Sequence, residues 1–298
     1  MMDRPSPNGR VVVGVDNSPQ ALEVVRYALD LAREHNCDLT LAHAWSFPWA
    51  AGYFTADDVH AMHLDAEYVT NVVMSELDIP ERMHVGVVTS QEPVIPFLRK
   101  LSESARLLVI GRHEYWAERA LDGDVSSALA TKAACPVVTV PRRSRATSLG
   151  SGPVVICLDG NIGASESLQF AFEEADRSDR TLVVFHAVGP HADPDAVAAD
   201  RRDIAEITAG WQERFPSVLV THATAIDDRA DAIIAASDGA SMVVVGSPHR
   251  PTWSWLYSLA RTVLNRVDCP LVVVPQHASA PTRETAPDIS PIASVPTY

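Results

Sequence analysis

The amino-acid sequence repeats one pattern of short apolar segments, and this repeat constrains the fold more than any other feature. The matching segments keep the same order and nearly the same spacing in both copies, which indicates an internal duplication. They are Val11–Asp16 with Val154–Asp159, Leu39–Ala44 with Leu182–Ala187, Leu107–Gly111 with Met242–Gly246, and Cys135–Pro141 with Cys269–Pro275.

The duplication divides the 298 residues into two domains, 10–141 and 153–275, after an N-terminal extension, 1–9. This agrees with a usual domain size of about 100–150 residues. The linker, 142–152, is rich in Ser, Arg and Gly. The tail, 276–298, is rich in Pro, Ser, Thr and Ala without periodicity, which predicts disorder.

The matched segments are continuous, Val-rich runs, typical of strands buried on both faces. Amphipathic patterns between them predict helices over 18–34, 57–77, 93–104, 125–134, 165–177, 195–215, 229–237 and 258–267. Alternating strands and helices predict parallel βαβ units with right-handed crossovers. Each copy is therefore predicted to be an α/β domain with an open, doubly wound parallel sheet.

Ligands of doubly wound sheets bind beyond the carboxyl ends of the strands, where the strand order reverses. This rule predicts two crevices, one around Asp16, Ala44 and Gly111 and one around Asp159, Ala187 and Gly246. In the alternative interpretation the aspartates only begin turns, because Asp accepts hydrogen bonds from its own backbone. The two glycines would then only supply a positive φ after a strand.

These segments resemble the universal stress protein family. In the first copy the resemblance lies in Gly-Val-Asp-Asn-Ser at 14–18, Val-Ile-Gly at 109–111, Gly-Asp-Val-Ser at 123–126 and Cys-Pro-Val-Val at 135–138. The second copy has Leu-Asp-Gly-Asn at 158–161, Val-Val-Val-Gly-Ser at 243–247 and Cys-Pro-Leu-Val-Val-Val-Pro at 269–275. The resemblance covers both domains, in the tandem arrangement common in actinobacterial members.

The resemblance implies an adenine nucleotide alpha hydrolase-like fold with five parallel strands in each domain, which in this family often binds ATP with Mg²⁺. The family's loop runs Gly-x-x-Gly, nine residues, then Gly-Ser or Gly-Thr. Glycines let backbone N–H groups approach phosphates, and a helix N-terminus adds positive potential. The implied binding residues are Asp16, Ala44, Gly111, Arg112, Gly123, Asp124, Val125 and Ser126, with Asp159, Ala187, Gly246, Ser247 and Ser258 in the second copy.

Both copies depart from that loop, the second more than the first. Glu114 stands at the second glycine and Asp124 at the hydroxyl position, while His249 and Tyr257 occupy glycine positions in the second copy. Asp124 is also a good N-cap for the following helix. We therefore expect ATP binding mainly in the first domain.

The substitution of Glu114→Gly together with Asp124→Ser is expected to strengthen ATP binding. Each carboxylate facing a triphosphate at ~4 Å costs about 1–4 kcal/mol at effective dielectric constants of about 80 to 20, unless a divalent ion intervenes. Calorimetric titration of the double variant measures this effect. An unchanged affinity would contradict the electrostatic argument.

Sequence signatures of catalysis are missing: there is no P-loop, no G-x-G-x-x-G after a strand, no G-x-S-x-G and no H-E-x-x-H. We expect a non-catalytic stress-response regulator, a slow ATPase at most. The alternative is a nucleotide-blind interaction or scaffold protein with vestigial crevices, in which aromatic loops such as 45–54 and 253–257 meet a partner.

Charge and cysteine content limit the other partners. With 24 Lys and Arg against 38 Asp and Glu, the net charge of −14 disfavours nucleic acid and anionic membranes. Four isolated cysteines have no metal-finger spacing, and His60 with His63 lacks a third ligand, so no metal site is expected. No apolar stretch approaches the ~20 residues needed to span a bilayer, and no secretory leader is visible, which predicts a cytoplasmic protein.

The last strand of each copy, 136–140 and 270–274, is apolar and would form an exposed sheet edge. We expect these two strands to pair with each other about a pseudo-twofold axis, as in dimers of the family. A homodimer of the whole chain would then form through the aromatic loops.

Overall fold

A computed structural model describes residues 9–45, 68–112, 125–141, 151–158, 165–247 and 262–275. The strands are β1 (Arg10–Gly14), β2 (Asp38–Ala44), β3 (Val85–Ser90), β4 (Leu107–Gly111), β5 (Val137–Val140), β6 (Val154–Leu158), β7 (Leu182–Val188), β8 (Val220–Ile226), β9 (Met242–Gly246) and β10 (Leu271–Val274). The helices are α1 (Ala21–Glu34), α2 (68–75), α3 (Val94–Ser102), α4 (Val125–Lys132), α5 (Ser165–Arg177), α6 (Pro194–Arg214), α7 (Arg229–Ala236) and α8 (262–266).

Several predicted features lie outside the described residues. They are the tail, all but the end of the linker, the histidines at 60 and 63, and the aromatic loop residues other than Trp45.

The strands form one ten-stranded sheet in the order β3-β2-β1-β4-β5-β10-β9-β6-β7-β8. Within each half, β1–β5 and β6–β10, every strand pair is parallel. In the first half β1 lies between β2 and β4, and in the second half β6 lies between β7 and β9. The strand order therefore reverses beside β1 in the first half and beside β6 in the second. The predicted doubly wound α/β fold with two equivalent halves is confirmed.

The two halves meet at β5 and β10, which pair antiparallel with Val138 opposite Val272. This confirms the pairing predicted for the last strands of the two copies. Both valines are buried and belong to an apolar cluster shared by the two halves, in which α1 of the first half and α5 of the second pack on one face of the sheet. Two smaller clusters, one in each half, fill the other face.

The outermost strands, β3 and β8, have no counterpart among the matched apolar segments of the sequence. Their residues are half-buried or exposed, unlike the fully buried central strands. An edge strand has one neighbour and weaker burial, so it does not need a continuous apolar run. The segments at 85–90 and 220–226 therefore lack the pattern that identified the other strands.

The start of α1 corrects one predicted boundary, because the helix begins at Ala21 and not at Ser18. Asp16 Oδ1 accepts a hydrogen bond from the Ser18 N–H at 3.1 Å, so these residues form a turn. In contrast, α4 begins at Val125 and α5 spans Ser165–Arg177, as predicted. Of the helix predicted over 57–77, the structure describes 68–75 as helical.

A chain of buried polar groups also joins the halves beside the central strands. His35 and Glu174, each with a side chain 1% exposed, lie 2.9 Å apart between Nε2 and Oε2. The same Glu174 oxygen accepts a hydrogen bond from Arg177 Nη1 at 3.0 Å, and Arg106 Nε donates to His35 Nδ1 at 3.0 Å. Since Nδ1 accepts, Nε2 carries the hydrogen and donates to Glu174.

No helix within the described part of the chain is both long enough and apolar enough to cross a bilayer.

Candidate functional site

The first half has an open crevice at the carboxyl ends of β1, β2 and β4, where the strand order reverses. It holds about 590 Å³ of empty space, part of which is open solvent at its mouth. Five predicted binding residues, taken from four separate elements, line it together: Asp16, Ala44, Gly111, Val125 and Ser126.

Asp16 follows β1, forms a turn and lines the crevice. Its Oδ1 accepts the Ser18 N–H, which forms the turn into α1, and the residue also lines the crevice. Of the described lining residues, Asp16 and Ser126 alone carry polar side chains. The carboxylate is thus held in place by its own backbone turn at the edge of the cavity.

Gly14 also lines the crevice, although it is not among the binding residues predicted from the sequence. A Cβ atom at this position would lie 3.3 Å from Leu98 Cδ1 and 3.4 Å from Ile110 Cγ2, so a side chain would crowd the floor. The available signal was its place two residues before Asp16 in the Gly-Val-Asp segment.

Gly111, at the end of β4, lines the crevice together with Asp16. Positive φ among the described glycines occurs at Gly9 and Gly239, so neither Gly111 nor Gly246 is explained by left-handed backbone. That alternative is wrong for both residues. Gly111 continues the β4 ladder opposite Val140 and exposes backbone to the cavity.

The N-terminus of α4 forms the remaining side of the crevice through Val125 and the buried Ser126. The first N–H groups of a helix lack intrahelical partners and carry partial positive charge, which favours a negatively charged ligand. Gly123, Asp124 and Glu114 lie outside the described residues.

Arg112 was expected to bind the cofactor, but its guanidinium contacts the second half. Nη1 donates hydrogen bonds to the carbonyls of Leu264 and Val267, each at 2.8 Å, at the end of α8. Arg112 is not among the residues that line the crevice. The side chain of this predicted binding residue therefore contacts the second half and does not line the crevice.

The second half is more deeply buried at one corresponding position. Ala187 is 5% exposed, whereas its counterpart Ala44 in the first half is half-buried and lines the open crevice. Gly246 ends β9 as Gly111 ends β4. Asp159, His249, Tyr257 and Ser258 lie outside the described residues.

Other candidate reactive groups are part of the packed core. His43 is buried and its Nδ1 lies 2.8 Å from the Val15 carbonyl, so it is a core histidine with a hydrogen-bond partner. Burial raises the pKa of Cys135, Cys157 and Cys269 to about 12, so these thiols stay protonated at neutral pH. All four cysteines are free, and Cys37, Cys135 and Cys269 are buried.

Comparisons with known proteins point in one direction. The model of the universal stress protein family matches residues 7–141 and again 151–275. A universal stress protein of Mycobacterium tuberculosis, Rv2623, is 31% identical, covering 88% of this chain and 95% of the relative. A universal stress protein of Mycolicibacterium smegmatis is 30% identical, covering 89% and 96%. The crystal structure of a universal stress protein from Archaeoglobus fulgidus has the same fold, with a TM-score of 0.69, 18% identity and coverage of 90% and 96%.

Proposed function

The chain belongs to the universal stress protein family in both of its halves, and we propose that it is a non-catalytic regulator of the stress response whose first half binds ATP with Mg²⁺. The observation that carries this proposal is the open crevice of the first half, where five residues predicted to bind a nucleotide come together from four elements.

The residues of the crevice fit an adenine nucleotide. Apolar side chains such as Leu98 and Ile110 form a surface suited to a planar base, and the Asp16 carboxylate can accept hydrogen bonds from ribose hydroxyls. Gly111 and the N-terminus of α4, with the Ser126 hydroxyl, offer donors to phosphate oxygens. Mg²⁺ bound with the nucleotide would offset part of the phosphate charge in this acidic protein, whose net charge is −14.

The deeper burial of Ala187 than of its counterpart Ala44 supports the first half as the main site. A base placed at Ala187 of β7 would have to displace buried atoms, whereas Ala44 at the end of β2 lies beside empty space. We therefore expect one tight nucleotide site per chain.

The Ala44→Trp variant tests the proposal by filling the crevice with an indole ring. We expect calorimetric titration with ATP and Mg²⁺ to show binding at least about tenfold weaker than in the wild type, or 1.4 kcal/mol. Ala223→Trp is the matched control, because Ala223 is exposed on the edge strand β8, in the other half. It should bind ATP as the wild type does.

A nucleotide-blind scaffold is the competing function, favoured by the acidic residues Glu114 and Asp124 at phosphate-loop positions. The same titration separates the two functions. Absence of ATP binding to the wild-type chain would exclude the sensing role, and equal binding by the wild type and Ala44→Trp would place the nucleotide elsewhere.

A further inference from the structure

One arginine connects the crevice of the first half to a helix of the second. Arg112 directly follows Gly111, which lines the crevice, and its Nη1 donates to the carbonyls of Leu264 and Val267 at 2.8 Å each. These residues are 152 and 155 positions away along the chain. The backbone of Arg112 therefore belongs to the first half, and its guanidinium contacts the second half.

The contact at α8 is of a strong kind. The last carbonyls of a helix have no intrahelical partner and carry partial negative charge, which a guanidinium satisfies by hydrogen bonds and by charge. Hydrogen bonds from a charged donor are roughly twice as strong as neutral ones. Arg112 thus fixes the C-terminal end of α8 against the first half.

The backbone of Arg112 is equally well fixed on the crevice side. Its N–H donates to the Val140 carbonyl at 2.9 Å, and Gly111 is paired with Val140 in the sheet. The guanidinium therefore extends from a well-defined point at the end of β4. A ligand that restricts the motion of Gly111 also restricts the base of this side chain.

The position of α8 in the duplication gives the contact a functional meaning. In the first half, α4 follows the segment 113–124 and its N-terminus lines the crevice. In the second half, α8 follows the corresponding segment, 248–261. Arg112 thus contacts the second-half counterpart of the helix on which the proposed phosphate site of the first half depends.

We propose that Arg112 couples occupancy of the first crevice to the stability of α8 in the second half, an inference that rests on the proposed ATP binding. A nucleotide that orders Gly111 reduces the motion of the guanidinium, and the end of α8 then opens less often. Coupling of this kind needs no large change of structure, because it acts through conformational freedom.

Hydrogen exchange of the amides of residues 264–267, measured by mass spectrometry with and without saturating ATP and Mg²⁺, tests the coupling. We expect ATP to slow exchange at these amides about fivefold or more in the wild type, the lower end of usual coupling strengths. In Arg112→Gln this ATP-dependent slowing should be lost. Arg112→Lys keeps one charged donor and should retain part of the effect, which provides a milder variant if Arg112→Gln folds poorly.

Arg266→Gln is the matched control. Arg266 lies on α8, and its Nη1 is 2.7 Å from Asp231 Oδ1. The variant therefore loses a guanidinium contact that lies wholly within the second half. The ATP-dependent slowing should persist in this variant. If ATP binds the wild type without changing exchange at 264–267, or if Arg112→Gln keeps the full effect, the coupling is wrong and the nucleotide site still stands. If ATP does not bind at all, both proposals are wrong.

Discussion

Replacement of Val272 by aspartate is expected to lower the free energy of unfolding by about 4 kcal/mol or more, among the largest effects of a single substitution. Val272 is fully buried in β10 and faces Val138 of β5 across the junction of the halves. An ionised carboxylate there has neither water nor a cation to replace its hydration. Because a domain is stable by only about 5–15 kcal/mol, much of the native population would be lost.

Val87→Asp is the matched control for this variant. Val87 is 42% exposed on the edge strand β3, so its carboxylate can reach water. We expect a loss within about 0.5–1 kcal/mol. Urea unfolding followed by circular dichroism compares the two, and similar midpoints for both variants would show that the β5–β10 junction contributes little to stability.

Glu174→Leu is expected to cost about 3–5 kcal/mol, because it removes the carboxylate that accepts from the Arg177 guanidinium and from the His35 N–H and leaves both without this acceptor. His35 and Arg177 both contact Glu174 Oε2, and His35 is as deeply buried as Glu174 itself. Urea unfolding of the variant at pH 7 measures this loss.

The effect should depend on pH in a defined direction. Burial alone would raise the pKa of Glu174, but the hydrogen bond from His35 and the charges of Arg177 and Arg180 outweigh it and lower the pKa below its ordinary value. A lowered pKa adds stability above the unfolded value of about 4.3 and loses it as the pH falls through the folded value. The difference between the wild type and Glu174→Leu should therefore be full at neutral pH and shrink in acid.

Glu173→Leu, at the adjacent position, is the control. The Glu173 side chain is about one-third exposed and its Oε2 lies 3.9 Å from Arg106 Nη2, so solvent screens the pair. A loss of at most ~1 kcal/mol, with little dependence on pH, is expected. Equal losses for Glu173→Leu and Glu174→Leu would contradict the assigned role of the buried cluster.

Most of the sheet was predictable because a strand that is buried on both faces needs a continuous run of apolar residues, which can be recognised in the sequence alone. Val11–Val13 and Leu107–Ile110 are such runs, and their repetition at 154–156 and 242–245 confirmed the assignment. The edge strands β3 and β8 were not found, since their half-exposed residues carry no comparable signal.

The candidate site was predictable to the same degree. Asp16, Gly111 and Ser126 follow or precede elements that the sequence identifies, and the rule for doubly wound sheets brings them to one edge. Arg112, which directly follows Gly111, belongs to the same predicted set. Its contact with α8 depends on how the second half packs against the first, and a local motif contains no information on that packing.

The sequence by itself determined the duplication, the doubly wound halves and the pairing of their last strands, because apolar runs and their order are properties of the chain alone. Only the tertiary structure decided which polar groups meet between the halves, such as Glu174 with His35 and Arg112 with the end of α8. These partners lie more than a hundred residues apart along the chain, so their contacts depend on where the packing of the two halves places each helix. The physical reason is that burial is encoded residue by residue, whereas a hydrogen bond requires two positions to be fixed at once.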